Sequence, residues 1–163
     1  MSGPEKQVVL VGAEGTTALG RAIGQRLGAG HGVALTGELG AGKTCLARGL
    51  AEGLGIDDPS GVCSPTYLLV MEHPGKIPML HIDAYLPGKT RGFLEDGGLD
   101  YLAETDGVVV VEWADRIRDL LPTETLWVHL GPSVVDGHEA RSAALSAPSG
   151  GGLSWVSELE DRY

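Results

Sequence analysis

Apolar positions in this chain fall into two alternating spacings, and the switches between them outline its elements. Val8-Val9-Leu10-Val11 is a short continuous run and predicts a strand over residues 7–11. Leu19, Ile23 and Leu27 then recur four apart, so they share one face of a helix over 16–27, with Thr16 or Thr17 as its cap and Gly28 and Gly30 as its stop. Residues 32–36 read as a second strand. A helix running to Leu54 follows, with Leu46, Leu50 and Leu54 along one side and Gly55 closing it. Residues 67–71 and 78–82 are both strand-like and are separated by His73-Pro74-Gly75-Lys76, which predicts a hairpin. Val108-Val109-Val110-Val111 is unbroken and β-branched, as expected of a strand covered on both faces and lying near the second strand. Residues 126–130 alternate and can pair with 140–145 across a turn at Asp136-Gly137, and residues 155–159 suggest a short terminal helix.

Strands alternating with helices, with at least one hairpin, predict an α/β fold. We expect a three-layer sheet of mixed parallel and antiparallel strands with helices on both faces. At 163 residues this is one domain. We place it at residues 1–147, with Pro148-Ser149-Gly150-Gly151-Gly152 as a flexible break before a short tail over 148–163.

Composition removes several function classes. Apolar residues make up 42% of the chain, yet no stretch approaches the roughly 20 apolar residues of a membrane span. The first apolar run is too short for an export signal, so a cytoplasmic protein with no membrane partner is expected. Cys45 and Cys63 are too few for a disulfide framework. Twelve Lys and Arg against 22 Asp and Glu give a net charge of −10, which disfavours strong direct binding to a nucleic-acid backbone.

The chemistry concentrates in Gly37-Glu38-Leu39-Gly40-Ala41-Gly42-Lys43-Thr44, which follows the strand residues Val33-Ala34-Leu35 and opens a helix. This is the G-x-x-x-x-G-K-[ST] phosphate loop. Glycines let successive N–H groups point inward, and the helix aims its positive end at a triphosphate. Lys43 then reaches the β- and γ-phosphates, and the Thr44 hydroxyl holds Mg²⁺. Glu112 ends the valine run and Asp83 ends the strand before it, so either carboxylate could meet the metal or orient a water; the sequence does not rank them. His81 reads as a structural residue that orients Asp83 through a hydrogen bond. Asp115-Arg116-Ile117-Arg118-Asp119 reads as a solvated helix face. Guanine readers use an Asn-Lys-x-Asp segment, and this chain contains no asparagine, which favours ATP over GTP.

In order and spacing, the phosphate loop, Ser64-Pro65-Thr66-Tyr67, His81-Ile82-Asp83-Ala84-Tyr85 and Val111-Glu112-Trp113 resemble the TsaE (YjeE) family over residues 20–141. These are small bacterial P-loop ATPases that support threonylcarbamoylation of adenosine 37 of tRNA. The resemblance implies a switch-like loop at residues 64–66 with Thr66 contacting the γ-phosphate side. It also implies functional carboxylates at Asp83 and Glu112, and Trp113 beside the nucleotide. Partners of the TsaD and TsaB families are implied, with tRNA met only through that complex. Three departures stand out. Leu86 replaces a common Arg, leaving Lys89 or Arg91 as substitutes; Cys45 replaces a common Thr after the loop; and Gly137-His138-Glu139-Ala140-Arg141 keeps only the Gly and second Arg of Gly-Arg-x-x-Arg, so a base or ribose contact at Gly137 or His138 is the expectation there. No arginine finger in cis is evident. The reaction expected is therefore a weak Mg²⁺-dependent ATPase, with a small-molecule kinase or a nucleotide-gated binding module as alternatives.

Overall fold

A computed structural model describes residues 2–65, 69–122 and 124–163, with the side chains of Ser2 and Pro87 left aside. Seven strands form one sheet: Ser2–Leu10 (β1), Gly32–Thr36 (β2), Val70–His73 (β3), Met79–Asp83 (β4), Val108–Glu112 (β5), Thr125–Val135 (β6) and His138–Pro148 (β7). Their spatial order is β1-β7-β6-β2-β5-β4-β3. The centre is parallel, because β2 pairs in parallel with both β5 and β6, and β5 with β4. Both margins are antiparallel: β3 with β4 on one side, β1 and β6 with β7 on the other. The mixed α/β P-loop sheet expected from the sequence is thus present.

Helix α1 spans Gly12–Gly24 and α2 spans Lys43–Leu54, and both cover one face. Val33 and Leu35 of β2 and Val108 and Val110 of β5 point to that face, where they meet Leu19, Ile23, Leu46 and Leu50. Ala34 and Val111 point to the other face and join Ile82, Leu94 and Ile117. That second face is closed by α3 (Pro87–Phe93), a kinked turn at Leu94–Gly98, α4 (Leu99–Ala103) and a 3-10 segment at Ala114–Leu120. Alternation therefore persists under the unbroken valine run. Each valine packs against a helical layer on one side or the other.

Local expectations were met unevenly. Helix α2 ends where expected, with Gly55 left-handed at φ 79° as its cap. Helix α1 begins four residues earlier than its apolar period suggests, directly after Val11 and with a left-handed Gly12 as its first residue. Thr16 is buried inside it, and the Thr17 hydroxyl donates back to the Ala13 carbonyl at 3.1 Å, so neither residue caps it. The helix also stops at Gly24 rather than at Gly28. The β3–β4 hairpin is present, but β3 starts at Val70 because Leu69 has a left-handed φ of 66°; Tyr67 and Leu68 lie outside the described residues. The β6–β7 turn holds Asp136 and Gly137 at φ 52° and 77°, the geometry of a two-residue hairpin loop. Residues 115–119 present a solvated charged face as expected, with Asp115, Arg116, Arg118 and Asp119 exposed on a 3-10 segment, while Ile117 between them is fully buried and Asp119 reaches Arg91 by two hydrogen bonds of 2.8 Å.

Past Pro148 the chain returns to the body. Leu153, Trp155, Val156 and Leu159 are buried in the main core cluster. The Val11 amide donates to the Tyr163 carbonyl at 3.0 Å, and the Tyr163 amide to Val9 at 2.9 Å, which ties the tail alongside β1. No helix among the described residues is long and apolar enough to cross a membrane.

Candidate functional site

At the C-terminal ends of β2, β4 and β5 the sheet opens into a cleft of about 740 Å³. This is where an open parallel sheet places its ligands. Its rim is the loop between β2 and α2. Three glycines there adopt left-handed backbone, Gly37 at φ 142°, Gly40 at 80° and Gly42 at 108°, and a side chain would strain each one. Lys43 is 5% exposed and donates to the carbonyls of Gly37 at 2.7 Å and Glu38 at 2.9 Å. Its ammonium also sits 3.9 Å from the ring centre of Trp113. Burial lowers the Lys43 pKa, a push that the nearby Glu112, Asp115, Asp83 and Glu38 carboxylates oppose.

The carboxylates arrive by register. Asp83 and Glu112 are direct partners at the ends of parallel β4 and β5, so both side chains reach the same edge, almost fully buried. Glu112 takes the Thr44 hydroxyl on one oxygen at 2.9 Å and His81 Nε2 on the other at 2.5 Å. His81 was expected to serve Asp83, its neighbour two residues on, and instead serves Glu112 on the adjacent strand. The diagonal reach across a strand pair is open to a long side chain. The Asp83 carboxylate meanwhile accepts from the Tyr85 amide at 2.7 Å and from the Ser64 hydroxyl.

The predicted residues divide clearly by position. Leu39, Gly40, Gly42, Lys43, Thr44, Cys45, Asp83, Glu112 and Trp113 all line the cleft. Gly37 starts the loop, while Glu38 and Ala41 face a neighbouring groove. Gly137 does not join them: it sits at the tip of the β6–β7 turn and lines neither cavity. Thr66 lies outside the described residues. Arg91 is engaged by Asp119 and does not line the cleft, while Arg116 stacks 4.6 Å from the Trp113 ring and donates to the Tyr85 carbonyl. Sequence reasoning passed over Ala13, Arg48 and Arg141, which also line the cleft. Ala13 and Arg48 carry no motif; Arg141 had one signal, its place in the Gly-x-x-x-Arg remnant.

Among the described residues no group of three His, Cys, Asp or Glu side chains could cage a metal. Two buried carboxylates and one hydroxyl at a phosphate loop instead fit Mg²⁺, which is held by one or two carboxylates plus phosphate oxygens. Thr44, Glu112 and Asp83 would hold it.

Known proteins agree with this architecture. The family profile described as threonylcarbamoyl adenosine biosynthesis protein TsaE matches residues 10–140. A Streptomyces coelicolor protein named tRNA threonylcarbamoyladenosine biosynthesis protein TsaE is 40% identical over 121 residues, covering 72% of this chain and 80% of its own. A Treponema pallidum protein of the same name is 36% identical over 118 residues, covering 72% and 85%. The crystal structure of Bacillus subtilis YdiB superposes with a TM-score of 0.69 at 29% identity, covering 90% of this chain and 87% of that one. With its phosphate loop, paired strand-end carboxylates and family match all in one register, the chain belongs to the TsaE family of nucleotide-binding proteins of tRNA threonylcarbamoyladenosine biosynthesis.

Proposed function

We propose that this protein is a slow ATPase that supports threonylcarbamoylation of adenosine 37 of tRNA, acting on a complex of TsaD- and TsaB-type partners. The observation that carries this reading is the Thr44–Glu112 hydrogen bond, which joins the start of α2 to the carboxylate edge of β4 and β5 beside Lys43. ATP binds with its phosphates along the loop amides and Lys43. Mg²⁺, when bound, neutralises charge on the β- and γ-phosphates. Glu112 and Asp83 orient the attacking water and its partners. Positioning and charge neutralisation by the loop amides, Lys43 and Mg²⁺ supply most of the rate enhancement, so turnover is weak.

The switch is the segment after Cys63. Ser64 donates to the Asp83 side chain, and the Leu69 carbonyl accepts from the Asp83 amide at 3.1 Å, so both ends of residues 64–69 are anchored to one strand-end acid. A change at the γ-phosphate felt by Asp83 therefore moves that segment, which is how order in a loop can report hydrolysis to a partner. A net charge of −10 suits a protein that meets tRNA only within the complex, in the cytoplasm.

Phosphate release, measured alone and with purified TsaD and TsaB proteins, tests the reading. Stimulation by the partners and loss of turnover in Lys43→Ala are expected. Transfer of phosphate to a metabolite, or ATP turnover unaffected by Lys43→Ala, would overturn it.

A further inference from the structure

We infer that Arg141 binds the nucleotide, contacting the α-phosphate on the side of the loop opposite the carboxylates. The inference rests on the triphosphate reading above and extends it to a residue to which that reading gives no role.

Arg141 lies on β7, paired with Leu10 of β1 on one side and Pro132 of β6 on the other. Its guanidinium runs to the phosphate loop. A Cβ built on Gly42 would stand 2.5 Å from Arg141 Nη1, so the bare glycine leaves the space that the guanidinium fills. Gly42 is the residue from which α2 starts, and the end of that helix is electropositive. A cation held there is repelled unless an anion lies between them. The other cations at the cleft have protein acceptors: Lys43 has two loop carbonyls, and Arg48 the Val62 carbonyl at 3.0 Å. Among the described residues no side-chain hydrogen bond or ion pair engages the Arg141 guanidinium, although the chain carries ten more acidic than basic groups.

Sheet order decides which phosphate it meets. Thr44, Glu112 and Asp83 mark the metal end, and the carboxylates come from β5 and β4 on one side of β2. Arg141 comes from β7, beyond β6 on the other side. A triphosphate with its β- and γ-groups at the metal end must leave the loop toward β6 and β7, where the α-phosphate and ribose emerge. Arg141 also lines the adjoining groove of about 580 Å³ beside Leu130 and Pro132, so it stands where the two cavities meet.

Calorimetric titration of ATP and of ADP, each with magnesium, into wild type, Arg141→Ala, Arg141→Gln and Lys43→Ala tests this. Because the α-phosphate is common to both nucleotides, both Arg141 variants should weaken ATP and ADP by the same factor, about tenfold or more for a charge-assisted hydrogen bond. Arg141→Gln keeps a polar side chain on β7, so an equal loss in that variant with unchanged thermal melting separates binding from folding. Unchanged affinity in both variants would overturn the inference, and so would a loss confined to ATP, which would put the contact at the γ-phosphate. Loss in Lys43→Ala alone leaves the triphosphate site standing and removes Arg141 from it. A wild-type protein that binds neither nucleotide removes both.

Discussion

The Thr44 hydroxyl and the Glu112 carboxylate meet at 2.9 Å, joining the first turn of α2 to the last residue of β5. In the proposed reading both would act on the same phosphate-bound cation. Glu112→Gln keeps the shape and an acceptor for Thr44 but removes the charge. Nucleotide affinity should change by no more than a few fold, while phosphate release falls by about a hundredfold, the usual worth of a positioned acid or base. Single-turnover phosphate release beside equilibrium binding measures both. Equal loss in the two would make Glu112 a binding residue.

His81 holds the other Glu112 oxygen at 2.5 Å, with its ring fully buried. His81→Leu strands a buried carboxylate oxygen, a loss of roughly 1–3 kcal/mol in urea unfolding. Because the ring orients Glu112 rather than touching nucleotide, kcat should fall with KM near that of wild type, and His81→Gln should restore part of it. A change in KM alone would contradict the positioning role.

Much of the sheet was legible because its strands obey simple rules. Residues 32–36 and 108–112 are β-branched or aliphatic runs bounded by glycine or acid, and the loop glycines announce their own backbone. What escaped depends on contacts distant in sequence. Helices α3 and α4 lack a sustained apolar period, since a left-handed Gly97 breaks the kinked turn between them and only Leu94 of that turn packs deeply. Proximity in sequence points His81 to Asp83, whereas the pairing of β4 with β5 brings Glu112 to its ring. Arg141 lies 99 residues beyond Gly42, and only the β6–β7 hairpin brings it back to the loop.

Glycines inside the first two helices set how closely those helices pack. Gly20 and Gly24 of α1 face Gly49 and Gly53 of α2, each pair four residues apart, and the two backbones touch there. A Cβ on Gly49 would lie 2.3 Å from the Thr17 carbonyl oxygen, and one on Gly20 2.5 Å from that of Leu46. Alanine normally favours a helix by about 1 kcal/mol over glycine. Gly49→Ala should nonetheless destabilise the protein by roughly 1–3 kcal/mol, because backbone atoms cannot yield as a flexible side chain can. Gly92 in α3 is the control: a Cβ there meets nothing within 4 Å, so Gly92→Ala should be stabilising by up to about 1 kcal/mol. Chemical denaturation of both variants decides, and a stable Gly49→Ala would mean the helices can separate.

His73 gives the fold a pH limit remote from the phosphate loop. It ends β3, is 7% exposed, and its Nε2 has no hydrogen-bond partner. Burial lowers its pKa from 6.5, with the nearby His81 adding to the effect and Asp58 opposing it. The native state thus binds a proton less readily than the unfolded chain does. Above 6.5 neither form holds that proton and the residue has little effect on stability. As pH falls through 6.5 the unfolded chain takes it up first, so stability declines until the lowered native value is passed. The slope from one such site is at most about 1.4 kcal/mol per pH unit. His73→Leu removes the titrating ring and keeps an apolar side chain, so its stability should fall less steeply than wild type between pH 6.5 and 5, with the two curves parallel above 7. Urea midpoints across that range measure the difference. Curves parallel throughout would show that His73 takes up its proton equally well in the folded protein, which would require water or a carboxylate to reach Nε2 at the end of β3.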